Sequence, residues 1–107
     1  MFVEAAKVAD IAPGGMKAVD RGGKKIVVCN FGGVFYAVER ICGHVGASLD
    51  LGTLDGNILT CPLHFAQYDV ITGEVLSGPV PPDPKHPTIN LVTYPVKVEA
   101  DNVLVSI

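Results

Sequence analysis

The 107-residue sequence contains no tryptophan, and charged residues make up only 18% of it. Together with a mean hydropathy of +0.40, this low charge excludes an intrinsically disordered chain. No apolar run approaches the ~18–20 residues that a membrane helix needs. Three cysteines are too few, and odd in number, for a disulfide-bonded scaffold. The N-terminus lacks a basic leader segment, so we expect a cytoplasmic protein without a secretory signal.

The small net charge of −3 is distributed unevenly along the chain. Residues 1–40 have a balance of +2 and residues 41–107 a balance of −5. Such a charge does not indicate nucleic-acid binding, and we expect neither nucleic acid nor a membrane as a partner. If the second part holds the functional site, its partner should present a positive surface. Ordinary solvated charges with no partner are the alternative.

Glycine and proline are abundant, with 12 and 8 residues, and they follow no repeat. This composition indicates short strands joined by many turns, with no helix of useful length. The sequence therefore predicts one all-β domain over residues 1–107, a small antiparallel sandwich or barrel of eight or nine strands. The predicted strands cover residues 2–8, 16–21, 24–30, 34–40, 57–60, 68–71, 74–76, 91–99 and 103–107.

Proline limits strand formation in two segments of the chain. Five prolines between residues 77 and 87 exclude a strand there and predict a rigid surface loop. Pro95 interrupts the strand predicted over residues 91–99, which places that strand at a sheet edge or a bulge.

Two short motifs pair a cysteine with a histidine: Cys42-Gly43-His44 and Cys61-Pro62-Leu63-His64. Three cysteines and three histidines placed at random would rarely give two such pairs. Cysteine remains reduced in the cytosol, so the motifs indicate a metal site rather than disulfides. Two loops that each supply one thiolate and one imidazole would make a site with four ligands.

Two kinds of metal centre accept two cysteines and two histidines. Structural zinc does, but its motifs usually pair like with like, Cys with Cys and His with His. In a Rieske [2Fe–2S] cluster two cysteines bind one iron and two histidines bind the other. Mixed Cys/His pairs deliver one ligand from each loop to each iron, so the spacing favours the iron–sulfur cluster over zinc.

The chain resembles the small Rieske-type ferredoxins that serve bacterial aromatic-ring dioxygenases. The resemblance extends from about Phe2 to Ile107. It rests on both Cys/His motifs, on Leu54-Asp55-Gly56, on Tyr68-Asp69 with Thr72-Gly73, and on the closing segments Tyr94-Pro95-Val96 and Asn102 to Val105. It implies one [2Fe–2S] cluster per chain, held by two loops of a cluster-binding part at about residues 41–82. Cys42 and Cys61 would bind the inner iron, and His44 and His64 the outer, solvent-facing iron.

The same resemblance implies roles for four residues near the cluster. Leu49 and Phe65 would be an apolar cover over the sulfides, with plain core as the alternative. Tyr68 would bond a ligand sulfur. Pro79 belongs to the proline-rich loop, which resembles the segment that covers the cluster. A stiff connector is the alternative for that loop.

Several positions depart from the family pattern. Gly43 stands where proline or threonine is usual, and Phe65 stands where glycine is usual. High-potential relatives have a serine where this chain has Ala66, and a disulfide that this chain lacks. Because hydrogen bonds to sulfur raise the reduction potential, we expect a potential toward the low end of the family range. Cys29 is expected to be a buried core thiol and His86 an exposed or capping loop histidine.

By resemblance, the protein carries one electron and is not catalytic alone. Its partners would be an NAD(P)H-dependent flavin ferredoxin reductase and a terminal oxygenase, both docking transiently. The alternatives are a small Rieske subunit of a larger reductase, such as a nitrite reductase, and a zinc-stabilised binding module.

Overall fold

The fold is described for residues 1–44 and 46–107 from a computed structural model. Across these residues the chain forms eleven short strands and two single 3-10 turns, Val8–Asp10 and Leu49–Leu51. Every strand pairing is antiparallel, so the predicted all-β fold is confirmed. The strands are β1 Phe2–Lys7, β2 Met16–Arg21, β3 Lys24–Phe31, β4 Val34–Glu39, β5 Thr53–Asp55, β6 Ile58–Thr60, β7 Gln67–Asp69, β8 Val75–Ser77, β9 Thr93–Tyr94, β10 Val96–Glu99 and β11 Asn102–Ser106.

The strands form three sheets. A terminal sheet has the order β1-β11-β10, a central sheet has the order β2-β3-β4-β9, and a site sheet has the order β5-β6-β7-β8. The central sheet contains the longest strands. Its β3–β4 hairpin turns at Gly32 and Gly33, whose φ angles of +62° and +93° favour glycine.

Strand β3 explains how the three sheets share two cores. Successive side chains of a strand point to opposite faces of the sheet. Ile26 and Val28 accordingly pack with Val103 and Val105 of the terminal sheet. Val27 and Cys29 pack on the other face, in a core that also contains residues of the site sheet. The central sheet is therefore covered on both faces and anchors the site sheet.

The number and limits of the strands differ from the prediction of eight or nine. The segment predicted as one strand over residues 91–99 is divided at Pro95 into two strands, β9 in the central sheet and β10 in the terminal sheet. Strand β5, Thr53–Asp55, is missing from the sequence prediction. It pairs with β6 across the Asp55-Gly56 turn.

The proline-rich segment between β8 and β9 contains no strand, as predicted. Hydrogen bonds fasten this loop at several points. Leu91 N–H donates to Gly73 O at 2.8 Å, and Glu39 N–H donates to Val92 O at 2.8 Å. Both the site sheet and the central sheet thus hold the loop. Among the described residues, no helix has the length and apolar character that a membrane span requires.

Candidate metal centre

The two Cys/His motifs form loops with the same backbone closure. Cys42 N–H donates to Ala47 O at 2.8 Å, and Cys61 N–H donates to Ala66 O at 2.9 Å. The first loop, which begins with Cys42, Gly43 and His44, is flanked by the bridge between Ile41 and Ser48. The second loop, residues 61–66, connects β6 to β7. Each loop is therefore fixed by antiparallel pairing of the residues that flank it.

The two cysteines of the motifs lie at the inner side of these loops. Cys42 is 5% exposed and Cys61 is 1% exposed, and all three cysteines of the chain are thiols rather than disulfides. Burial raises the pKa of the Cys61 thiol to about 11. The Leu63 N–H opposes this rise, whereas a hydrogen bond with Cys42 adds to it. The two thiols are therefore close together and shielded from water.

Tyr68 provides a hydrogen bond to one of these sulfurs. Its side chain is fully buried, and its hydroxyl oxygen lies 3.2 Å from Cys42 Sγ. Gly43 N–H donates to the same oxygen at 3.0 Å, which leaves the hydroxyl proton available for the sulfur. Burial raises the pKa of Tyr68, and the contact with Cys42 acts in the same direction, so the hydroxyl keeps its proton.

The two histidines of the motifs lie beside each other. The ring centroids of His44 and His64 are 5.5 Å apart, and the ring planes meet at 75°. Both rings line a pocket of about 150 Å³ together with Pro81, Pro82 and Asp83 of the proline-rich loop. This loop therefore lies against both histidines.

The two histidines expected to bind the outer, solvent-facing iron differ in their exposure. His64 is exposed, whereas the side chain of His44 is only 2% exposed. Asp83 accounts for the difference, since its Oδ2 lies 3.0 Å from His44 Nε2. The hydrogen bond with His44, followed by that with His86, holds the pKa of Asp83 below its usual value.

The surroundings of His44 Nδ1 indicate whether a metal fits this site. His44 Nδ1 is buried, and no hydrogen-bond partner for it exists among the described residues. Buried ring nitrogens are nearly always satisfied. A metal-bound histidine commonly donates its other ring N–H to a carboxylate, and His44 Nε2 has such a partner in Asp83. The Nδ1 lone pair is thus available for a metal.

The four motif side chains form two pairs rather than one tetrahedral cluster. Thiol lies beside thiol, and imidazole beside imidazole. Within residues 1–44 and 46–107, no three His, Cys, Asp or Glu side chains converge on a single metal position. Two pairs, one of each chemical type, suit a centre with two metal ions.

The remaining residues predicted near the site lie at different depths. Leu49 is fully buried in the same core as Cys42 and Cys61. Phe65 is 59% exposed, so it is not a core residue, and it lines a surface pocket with Cys61 and Pro62. Pro79 is half-buried in the proline-rich loop. Its pocket includes Asp83 but neither histidine.

Gly43 and Phe65, which depart from the family pattern, have clear backbone settings. A Cβ at Gly43 would lie 2.3 Å from the carbonyl oxygen of Ile89, so the close approach of the proline-rich loop requires glycine. Ile89 N–H donates to Gly43 O at 3.2 Å, which fixes this approach. Phe65 has a φ of +62°, a conformation that favours glycine, so the second loop is strained at this residue.

Cys29 and His86 have the environments predicted for them. Cys29 is fully buried in β3, and burial raises the pKa of its thiol to about 12. The side chain of His86 is 71% exposed, and its Nδ1 lies 3.0 Å from Asp83 Oδ2. Sequence reasoning missed Asp83 itself. It lies 39 residues from His44, and only its place in the loop expected to cover the site could have suggested it.

Comparison with known proteins gives consistent matches along the chain. The Rieske [2Fe-2S] domain family matches residues 1–95. The ferredoxin component of the naphthalene 1,2-dioxygenase system of Pseudomonas putida is 35% identical over 106 residues, covering 99% of this chain and 95% of that protein.

Comparison with solved structures also finds ferredoxins. The ferredoxin of carbazole 1,9a-dioxygenase from Nocardioides aromaticivorans IC177 superposes with a TM-score of 0.87 at 28% identity, covering 99% of this chain and 97% of that chain. A chain in a complex of reduced oxygenase and oxidized ferredoxin of carbazole 1,9a-dioxygenase gives a TM-score of 0.83 at 32% identity, covering 98% and 92%. The similarity therefore spans nearly the full length of these ferredoxins.

Proposed function

Because the chain belongs to the Rieske [2Fe–2S] domain family, we propose that Cys42, His44, Cys61 and His64 are the ligands of its [2Fe–2S] cluster. When bound, such a cluster accepts and releases one electron and makes or breaks no substrate bond. The protein is accordingly an electron carrier and not a catalyst on its own.

The observation that carries the proposed ligand set is the separation of side chains by type. The Cys42 and Cys61 thiols are buried together, and the His44 and His64 rings lie together beside the proline-rich loop. His44 Nδ1 is buried, and no described residue is its hydrogen-bond partner. Thiolate is the form that binds iron, so iron binding must displace the proton that burial favours on the Cys61 thiol.

We infer that residues 1–107 form one domain, in which about residues 41–82 hold the cluster. The proline-rich loop supports a slightly longer cluster-binding part, since Asp83 and Ile89 contact the first loop. A cytoplasmic location is consistent with three cysteines that are all thiols.

A low reduction potential within the family range also remains our proposal. Ala66 offers no side-chain donor to a sulfide, and the side-chain hydroxyl that contacts a ligand sulfur is that of Tyr68, at Cys42. Fewer hydrogen bonds to sulfur stabilise the reduced cluster less. We therefore expect a midpoint below roughly +200 mV, within the range of about −150 to +300 mV for such centres.

For the partners, we propose transient docking to an NAD(P)H-dependent flavin ferredoxin reductase and to a terminal oxygenase. The similar proteins named above are ferredoxin components of dioxygenase systems, and the chain covers 95% and 97% of two of them. That these relatives are ferredoxin components favours a separate carrier over the alternative, a small Rieske subunit of a larger reductase such as a nitrite reductase. Redox encounters of this kind bury small interfaces.

The test begins with the purified protein. A Rieske cluster predicts visible absorption and a reduced-state EPR signal, and a colourless protein containing zinc would contradict the proposal. The protein is then added to the reductase and oxygenase of the naphthalene 1,2-dioxygenase system in place of their own ferredoxin. We expect oxidation of the reduced nicotinamide that depends on this chain. Co-purification of a large reductase subunit would favour the alternative function.

A further inference from the structure

Asp83 is placed between a predicted ligand and the protein surface. Its Oδ2 lies 3.0 Å from His44 Nε2 and 3.0 Å from His86 Nδ1. Asp83 belongs to the proline-rich loop, and the loop is anchored to both metal-binding loops. Val80 N–H donates to His64 O at 2.6 Å, and Ile89 N–H donates to Gly43 O at 3.2 Å.

The contact with Asp83 makes the two histidines inequivalent. The side chain of His44 is 2% exposed, whereas His64 is exposed to solvent. The Asp83 side chain is itself 33% exposed, so its charge is only partly screened by water. A carboxylate this close to a ligand acts on that ligand through its charge and through its hydrogen bond.

The hydrogen bond determines which nitrogen of His44 is free. A carboxylate only accepts hydrogen bonds, so the proton of the neutral ring lies on Nε2. The lone pair then lies on Nδ1, which is the buried atom without a hydrogen-bond partner among residues 1–44 and 46–107. Asp83 therefore holds the ring in the tautomer and the orientation that suit a metal at Nδ1.

The charge of Asp83 affects how easily the centre is reduced. Reduction adds one negative charge to the centre, and a nearby carboxylate repels that charge. The hydrogen bond from Nε2 to the carboxylate also increases the electron density on the imidazole, which favours the oxidised metal. Both effects lower the reduction potential.

We propose that Asp83 is a positioning residue that orients His44 and lowers the reduction potential of the centre. This inference rests on the proposed ligand role of His44. It leaves His64 as the histidine of the pair whose ring the solvent reaches.

The experiment measures the midpoint potential of the iron-loaded protein by redox titration, for the wild type and for Asp83→Asn and Asp83→Ala. Asn keeps an acceptor oxygen but has no charge, and Ala removes both. We expect both variants to shift the reduction equilibrium roughly tenfold toward the reduced form, which is about 59 mV for one electron. Asp83→Ala should shift at least as far as Asp83→Asn.

A matched control separates this effect from a change in net charge. Asp101→Asn removes one carboxylate from the exposed turn between β10 and β11, in the terminal sheet, and should leave the midpoint unchanged. A shift of Asp83→Asn no larger than that of Asp101→Asn, or in the opposite direction, would overturn the proposal.

The visible and EPR spectra are recorded on every variant before titration. A wild type without a Rieske spectrum refutes the ligand set and with it the function. A normal spectrum with an unmoved midpoint in Asp83→Asn refutes only the role of Asp83. If Asp83→Ala loads no cluster, Asp83→Asn decides, because the amide preserves the shape of the side chain.

Discussion

The first and second metal-binding loops are built alike but held differently. Each loop begins with a cysteine whose N–H donates to the carbonyl five residues later. The proposed ligand side chains of the first loop have partners outside the loop, Tyr68 at Cys42 and Asp83 at His44. The second loop leaves His64 exposed and contains a strained residue, Phe65. Two loops with the same backbone closure can therefore place one histidine, His44, against the protein and the other, His64, in contact with solvent.

The largest expected effect concerns the cysteines, the residues at which the two loops are equivalent. Cys42→Ala and Cys61→Ala each remove one of the two thiolates proposed for the same iron, so either change should abolish the visible absorption and the EPR signal completely. Cys29→Ala is the matched control, since this thiol is buried in β3, outside both loops. Iron and sulfide analysis of the purified variants checks the result. Full cluster content in either loop variant would disprove the ligand set.

The second prediction concerns the outside support of the first loop. Gly43→Ala would place a Cβ 2.3 Å from Ile89 O, so the proline-rich loop must move away. Such overpacking costs about 1–3 kcal/mol, and we expect a melting temperature lower by roughly 4–8 °C for each kcal/mol lost. Gly78→Ala is the control, because no atom of the described part of the chain lies within 4 Å of a Cβ built there. Equal thermal stability of the two variants would contradict the close contact.

The third prediction uses Cys29, the cysteine that belongs to neither loop. Burial raises the pKa of its thiol from 9.0 to about 12, so the unfolded thiol ionises first as the pH rises. The stability from this burial is complete below pH 9 and is lost between pH 9 and pH 12. At pH 10 the free energy of unfolding should have fallen by about 1.4 kcal/mol through this group.

Urea unfolding of iron-loaded wild type and Cys29→Ala, at pH 7 and pH 10, measures that loss. The wild type should lose more stability than the variant over this interval, because the other titrating groups are shared. Parallel losses in the two proteins would show that the thiol is not shielded as the fold implies.

The smallest expected effect concerns the strain in the second loop. Phe65→Gly relieves a φ of +62°, and little apolar burial is lost because the side chain is 59% exposed. We expect an increase in the free energy of unfolding of at most about 1 kcal/mol. Leu63→Gly is the control in the same loop. It is also exposed, has no positive φ, and should destabilise the protein. A loss of stability in both variants would rule out the strain.

Local pattern was enough to predict much of the fold. The predicted limits of β2 agree with the structure, because β2 is bounded by glycine turns on both sides. The division at Pro95 was only half predicted. Proline indicated an interruption, but no local signal tells that the two halves join different sheets.

The candidate site, too, could be predicted from the sequence only in part. The Cys/His spacing identifies four side chains, and the structure brings these together in pairs. The unequal exposure of His44 and His64 could not be predicted, since it depends on Asp83, 39 residues away. A contact between residues so far apart in sequence depends on how the proline-rich loop folds back onto the site. The spacing of residues within a motif does not reveal it.

Pro95 has a consequence for how the molecule unfolds. The segment from Thr93 to Glu99 passes from the central sheet to the terminal sheet at this one residue, and Ser106 N–H donates to Pro95 O at 2.9 Å. Neither sheet can open without pulling a strand of the other out of register. The slowest amide protons of both sheets should therefore exchange through the same global opening, and the two sheets behave as one cooperative unit.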